Sequence, residues 1–156
     1  MRILDLEVGN KEAVRQTAAL LVAAFRDQWA FAWPDMKSAL QEVRESFKKD
    51  RISRVAVDDN GDVLGWIGGI REYRGNVWEL HPLAVAPDYQ GRGIGRALVT
   101  DLEDRVRECG GHTIMLGTDD VNDMTTVSGI DLYPNVLEHL VNIKNLKGHP
   151  YQFYQK

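Results

Sequence analysis

The sequence predicts an α/β fold built on one mixed sheet, and three observations carry that expectation. Between residues 54 and 85, β-type segments are separated by short polar turns, as in a meander. Helix-spaced apolar residues lie on both sides of that meander: Val14, Ala18, Leu21, Val22 and Phe25 before it, and Ile94, Leu98, Leu102 and Val106 after it. A further short apolar segment follows the second helical stretch. Strand, helices, meander, helix and strand in this order give helices packed on a sheet of mixed direction.

Each element has its own signal. Ile3, Leu4 and Leu6 make a short first strand, and a helix is expected over residues 11–29. Pro34-Asp35 opens a second helix with Asp35 as N-cap and Met36, Leu40, Val43 and Phe47 on its apolar stripe. Arg54-Val55-Ala56-Val57 is a strand, and Asp59-Asn60-Gly61-Asp62 is a hairpin turn. Residues 63–73 form the returning strand, Gly75-Asn76 turns again, and residues 77–85 form the third strand. The next helix ends at Gly110-Gly111 and keeps Cys109 on its apolar stripe. Residues 113–116 read as a buried strand, 119–129 as a polar loop and 132–140 as a helix. The 156 residues suit one domain, with no repeat, linker or low-complexity segment.

Composition narrows the function. Nineteen Lys and Arg face 23 Asp and Glu, a formal charge of −4. Nucleic acid binding needs clustered positive charge and is not expected, whereas a cationic small molecule suits the balance. A single cysteine excludes an intrachain disulfide, and His112, His139 and His149 have no metal-ligand spacing, so no metal is expected. The acidic start has no signal-peptide run and no segment reaches the length of a membrane span, which makes the cytoplasm the expected compartment.

The strongest chemical signal is Gln90-Gly91-Arg92-Gly93-Ile94-Gly95-Arg96 between a strand and a helix. Glycines admit a ligand close to the backbone, and the N–H groups of a helix start bind anions, so a diphosphate is the natural occupant. A nucleoside-triphosphate loop is excluded because no Gly-Lys-Ser/Thr follows. Arg96 stands where a dinucleotide fingerprint has its third glycine. The alternative is a glycine-rich connection without a ligand.

Glu79 and His81 lie two apart on a strand and project from one face. Pro82 follows and cannot donate to a ladder, so a bulge or splay is expected there, opening a cleft beside backbone groups. Asp119, Asp120 and Asp123 form an acidic loop after a strand end, either a seat for ammonium groups or a solvated loop with an N-cap.

Gln90, Gly93 and Gly95 match the pyrophosphate loop of the GNAT superfamily of acetyltransferases, and the chain resembles that superfamily further. Trp78-Glu79-Leu80-His81-Pro82-Leu83, Leu116-Gly117-Thr118-Asp119-Asp120, Asp131-Leu132-Tyr133 and His149-Pro150-Tyr151-Gln152-Phe153-Tyr154 resemble one branch, the aminoglycoside 6'-N-acetyltransferases, in order and spacing. The resemblance implies a single GNAT domain over residues 1–156 with acetyl-CoA as cosubstrate. The main-chain N–H groups of Gly91, Arg92, Gly93, Ile94, Gly95 and Arg96 would hold its pyrophosphate. Leu83, Ala84 and Val85 would pair with its pantetheine arm, and the Leu83 N–H would polarise the thioester carbonyl. Glu79 would take the proton of the acceptor ammonium directly or through water, with His81 assisting, relaying a proton or positioning Glu79. Tyr154 would stabilise or protonate the departing thiolate. Glu79, Asp119 and Asp120 would contact an aminoglycoside or polyamine acceptor.

The resemblance also implies a homodimer, a role in antibiotic resistance, and more sequence after Tyr154-Gln155-Lys156. The sheet is therefore expected to lack its C-terminal strands. Two readings follow: an acetyltransferase acting on an aminoglycoside, a polyamine or a protein amine, or an inactive CoA-binding module.

Overall fold

The computed structural model describes residues 1–27, 29–120 and 122–155. The chain forms two compact units, Met1–Leu116 and Gly117–Lys156.

The first unit holds the sheet. Its elements run β1 (Arg2–Asp5), α1 (Lys11–Phe25), α2 (Met36–Glu45), β2 (Arg51–Val57), β3 (Val63–Glu72), β4 (Val77–Val85), α3 (Ile94–Glu108) and β5 (Thr113–Met115). The strands lie in the order β1-β2-β3-β4-β5, antiparallel as far as β4, with β5 parallel to β4. Sequential antiparallel neighbours need only turns, whereas the parallel pair needs a crossover, and α3 supplies it. This is the expected mixed α/β sheet.

The two faces are covered by different helices. Leu20 and Leu21 of α1 and Ala39 and Val43 of α2 pack with Val55, Val57, Trp66 and Ala84 in one buried cluster. On the other face, a side chain at Gly65 or Gly69 would run into Leu98 or Leu102 of α3, so the missing side chains let that helix sit close. Asp35 caps α2 by accepting the Ser38 N–H at 2.8 Å, while the Ser38 hydroxyl donates to the Asp35 carbonyl at 2.9 Å. The Ser38 N–H, then its hydroxyl, hold the Asp35 carboxyl below the usual carboxylate range.

Several boundaries differ from expectation. The first helix stops at Phe25, short of residue 29, and the Phe25 ring packs edge-on against Trp33 at 4.8 Å, a contact that needs the chain to turn back. β2 begins at Arg51, because Arg51, Ile52 and Ser53 continue the pairing with β3 despite their polar pattern. β5 is not the buried strand expected. Thr113 and Met115 are exposed, since this three-residue edge strand pairs only with β4 among the described residues. Cys109 is exposed rather than packed, because α3 ends at Glu108 and leaves it at the C-cap.

The second unit contains α4 (Val136–Val141) and α5 (Tyr151–Tyr154), with a bridge between Thr125 and Asn145. The helix expected over 132–140 begins at Val136 because Pro134 disfavours helical backbone at the residue before it. Among the described residues no helix is long and apolar enough to cross a membrane, and no three His, Cys, Asp or Glu side chains form a metal-binding group.

Candidate functional site

β4 organises the first unit's site. Its pairing with β3 slips where Gly68 alone faces His81 and Pro82: Ile67 pairs with Leu83, and the next pair is Gly69 with Leu80. This is the irregularity expected at Pro82. A side chain on Gly68 would collide with the His81 carbonyl, so the close approach there requires glycine. β5 pairs with β4 only through Val77, Trp78 and Glu79. From Leu80 to Val85, β4 has a strand neighbour on the β3 side alone among the described residues. Leu83, Ala84 and Val85 lie along this edge.

The slip also sorts the side chains. Gly69 faces α3, so Leu80 opposite it does too. Leu83 pairs with Ile67, on the same face as Gly65 and Gly69. Leu80 and Leu83 therefore share a face although they are three apart. Ile70 and its partner Glu79 face the other side, toward α1 and α2. His81 is on that side as well. Its Nε2 lies 3.7 Å from Glu42 Oε1 of α2, and its ring centroid lies 6.0 Å from that of Trp33. Glu79 and His81 are both half-buried, so both can reach solvent and still feel their neighbours.

The glycine loop follows β4 after a single short turn, Pro87–Tyr89. Gln90 Nε2 donates to the Val85 carbonyl at 3.2 Å, tying the loop to the strand end. Gly91 and Gly93 adopt left-handed φ values of 73° and 84°, where a side chain is disfavoured, and open space surrounds both. Gly93 is the N-cap of α3 and supplies no side-chain hydrogen bond to its first turn. Residues 90–93 are exposed, Ile94 is buried under the sheet, and Gly95 and Arg96 are half-buried. The Arg92 guanidinium lies over the Tyr89 ring at 5.0 Å.

The remaining candidates belong to the second unit. Asp119 is exposed, and its carbonyl lies 3.2 Å from His149 Nε2. Asp120 is committed within its own loop. Its two carboxylate oxygens accept the Met124 N–H, the Thr125 N–H and the Thr125 hydroxyl, each at 2.7 Å. Burial pushes its pKa up, but the hydrogen bonds outweigh that and hold it below the usual carboxylate range. Tyr154 is half-buried on α5 with its ring edge-on to Phe153 at 4.8 Å.

Residues 18–126 match the Acetyltransferase (GNAT) family profile. The chain belongs to the GNAT acetyltransferase family. A crystal structure of an aminoglycoside 6'-N-acetyltransferase complexed with coenzyme A is 38% identical to this GNAT chain, with a TM-score of 0.89 over 99% of this chain and 82% of that one. The aminoglycoside 6'-N-acetyltransferase from Enterococcus faecium is 36% identical, with a TM-score of 0.86 over the same shares. An L-amino acid N-acyltransferase of Escherichia coli K12 is 37% identical over 68 residues, 42% of this chain and 40% of that protein. The match thus spans about two fifths of that curated relative.

The GNAT sheet brings two residues to Glu79 and His81's side that the sequence pattern did not single out. Glu42 lies next to the core residue Val43 but off the apolar stripe of α2, where charge reads as a solvated face. Trp33 precedes the Asp35 cap and reads as a loop aromatic. The signal for both is a contact with His81, 39 and 48 residues away in sequence.

Proposed function

We propose that this protein transfers the acetyl group of acetyl-CoA to a primary amine, the 6'-amino group of an aminoglycoside. The observation that carries the proposal is the layout of β4: Glu79 and His81 on one face, an edge beyond the last pairing with β5, and a left-handed glycine turn at the strand's end. Similarity along 99% of the chain to an aminoglycoside 6'-N-acetyltransferase solved with coenzyme A supports the choice of both substrates.

Acetyl-CoA supplies an activated acyl carbon with a thiolate leaving group. The backbone of residues 91–96 would hold its pyrophosphate, helped by the uncapped start of α3. Leu83, Ala84 and Val85 would pair with the pantetheine arm, and the Leu83 N–H would polarise the thioester carbonyl.

The acceptor arrives as an ammonium, which has no lone pair. Glu79 takes its proton directly or through water, and the neutral nitrogen attacks the acyl carbon. The N–C bond forms, the C–S bond breaks, the nitrogen gives up its second proton as the amide forms, and the departing thiolate takes up one proton. For Tyr154 as donor to that thiolate, and for Asp119 and Asp120 as seats for ammonium groups, the support is the motif match.

The test is CoA release from acetyl-CoA with a panel of aminoglycosides, polyamines, amino acids and a peptide, with products located by mass spectrometry. Acetylation at the 6' position is expected. Glu79→Gln should lower kcat by about 10²–10⁴ while leaving CoA binding intact, and the loss should shrink at high pH. Turnover of amino acids or peptides with none of aminoglycosides would overturn the acceptor. An unimpaired Glu79→Gln enzyme near neutral pH would overturn the base.

A further inference from the structure

His81 is held from three directions, all within the first unit. β4 carries it, the Trp33 ring tilts against it at 49°, and Glu42 of α2 places Oε1 3.7 Å from its Nε2. The rotation of α2 is set elsewhere. Ala39 and Val43 are fully buried in the core, and Asp35 with Ser38 caps the helix. Glu42 therefore meets His81 because of where the core puts α2. The Phe25 ring packs edge-on against Trp33 at 4.8 Å.

Among the described residues Glu42 is the one carboxylate within ion-pair range of His81. Its side chain is 26% exposed and that of His81 40%, so solvent only partly screens the pair. Neutral imidazole carries its proton on one nitrogen and accepts on the other, and a neighbouring group chooses which. A carboxylate facing Nε2 favours N–H there and leaves the lone pair on Nδ1. A base oriented by a third group is a recurring arrangement in acyl transfer.

We propose that Glu42 is a positioning residue for His81: it orients the imidazole with Nε2–H toward the carboxylate and leaves Nδ1 as the proton-accepting nitrogen on the Glu79 face. The proposal rests on the acetyl-transfer reading of this site. It predicts a role for Glu42 that exists only while His81 is present.

The experiment compares wild type, Glu42→Ala, His81→Ala and the double variant, with Glu42→Gln and Glu42→Asp alongside. Kinetics use the best amine of the acceptor panel, and the His ring 1H–13C signals are recorded without substrate. Glu42→Ala should lower kcat about tenfold with an unchanged thermal shift by CoA, and Glu42→Asp should recover more than Glu42→Gln. The double variant should be no slower than His81→Ala, because the two act as one unit. The His81 ring signals should move in Glu42→Ala and Glu42→Gln while those of His112 and His139 stay. Additive losses in the double variant, or unmoved His81 signals, would overturn the proposal. A wild type that turns over no amine defeats the acetyl-transfer reading instead, and the ring signals then decide the Glu42 contact alone.

Discussion

Arg54 on β2 grips Asp101 on α3, with Nε 2.7 Å from Oδ2 and Nη2 3.1 Å from Oδ1. The guanidinium also donates to Asp5 on β1, so one buried cation joins two strands and the helix that leads away from the glycine loop. Side-chain exposure is 5% for Arg54, 19% for Asp101 and 78% for Asp5, which ranks the two carboxylates.

Removing the shielded partner should hurt most. Asp101→Ala leaves the buried guanidinium with only the exposed Asp5 carboxylate as a charged partner and should cost about 3 kcal/mol, whereas Asp5→Ala should cost less than about 1 kcal/mol. Urea unfolding followed by tryptophan fluorescence separates the two. Equal losses would mean that the two carboxylates share the compensation whatever their exposure.

Gly93 tests the anion loop through its backbone. Open space surrounds it, so added volume is harmless, but its φ of 84° should cost a side chain about 1–2 kcal/mol. Gly93→Val should therefore fold with a lowered Tm and lose the thermal shift that saturating CoA gives the wild type. An equal CoA shift in both proteins would remove the loop from cofactor binding.

Asp120 makes a pH-dependent prediction. Its folded pKa is depressed, so the unfolded chain takes up the proton first as pH falls. Its contribution is complete above the ordinary carboxylate pKa of 3.8 and is lost as pH drops through the lower folded value. Asp120→Asn should thus melt below wild type at neutral pH, and the gap should close in strong acid. A gap that persists unchanged would assign the loop's stability to other contacts.

Where the governing signal was local, the sequence alone sufficed. Asp35 capped α2 because an N-cap needs only its next three residues. Pro82 announced the irregularity in β4 through a backbone preference it carries with it. Periodicity likewise marked α3, and the turns at residues 59–62 and 75–76 marked β2, β3 and β4 as a meander. Non-local facts had to come from the fold. A strict alternation along β4 would put Leu80 and Leu83 on opposite faces. Only the two-against-one pairing around Gly68 brings them onto one face, because register is set by β3 and not by β4. The exposure of β5 depended on which strand lay beside it, a property absent from its own apolar residues. Glu42 looked like any solvated helix carboxylate until the burial of Ala39 and Val43 turned it toward His81. Side-chain chemistry and turn geometry are written residue by residue, but the partners of a half-buried charge are chosen by the packing of elements far apart in the chain.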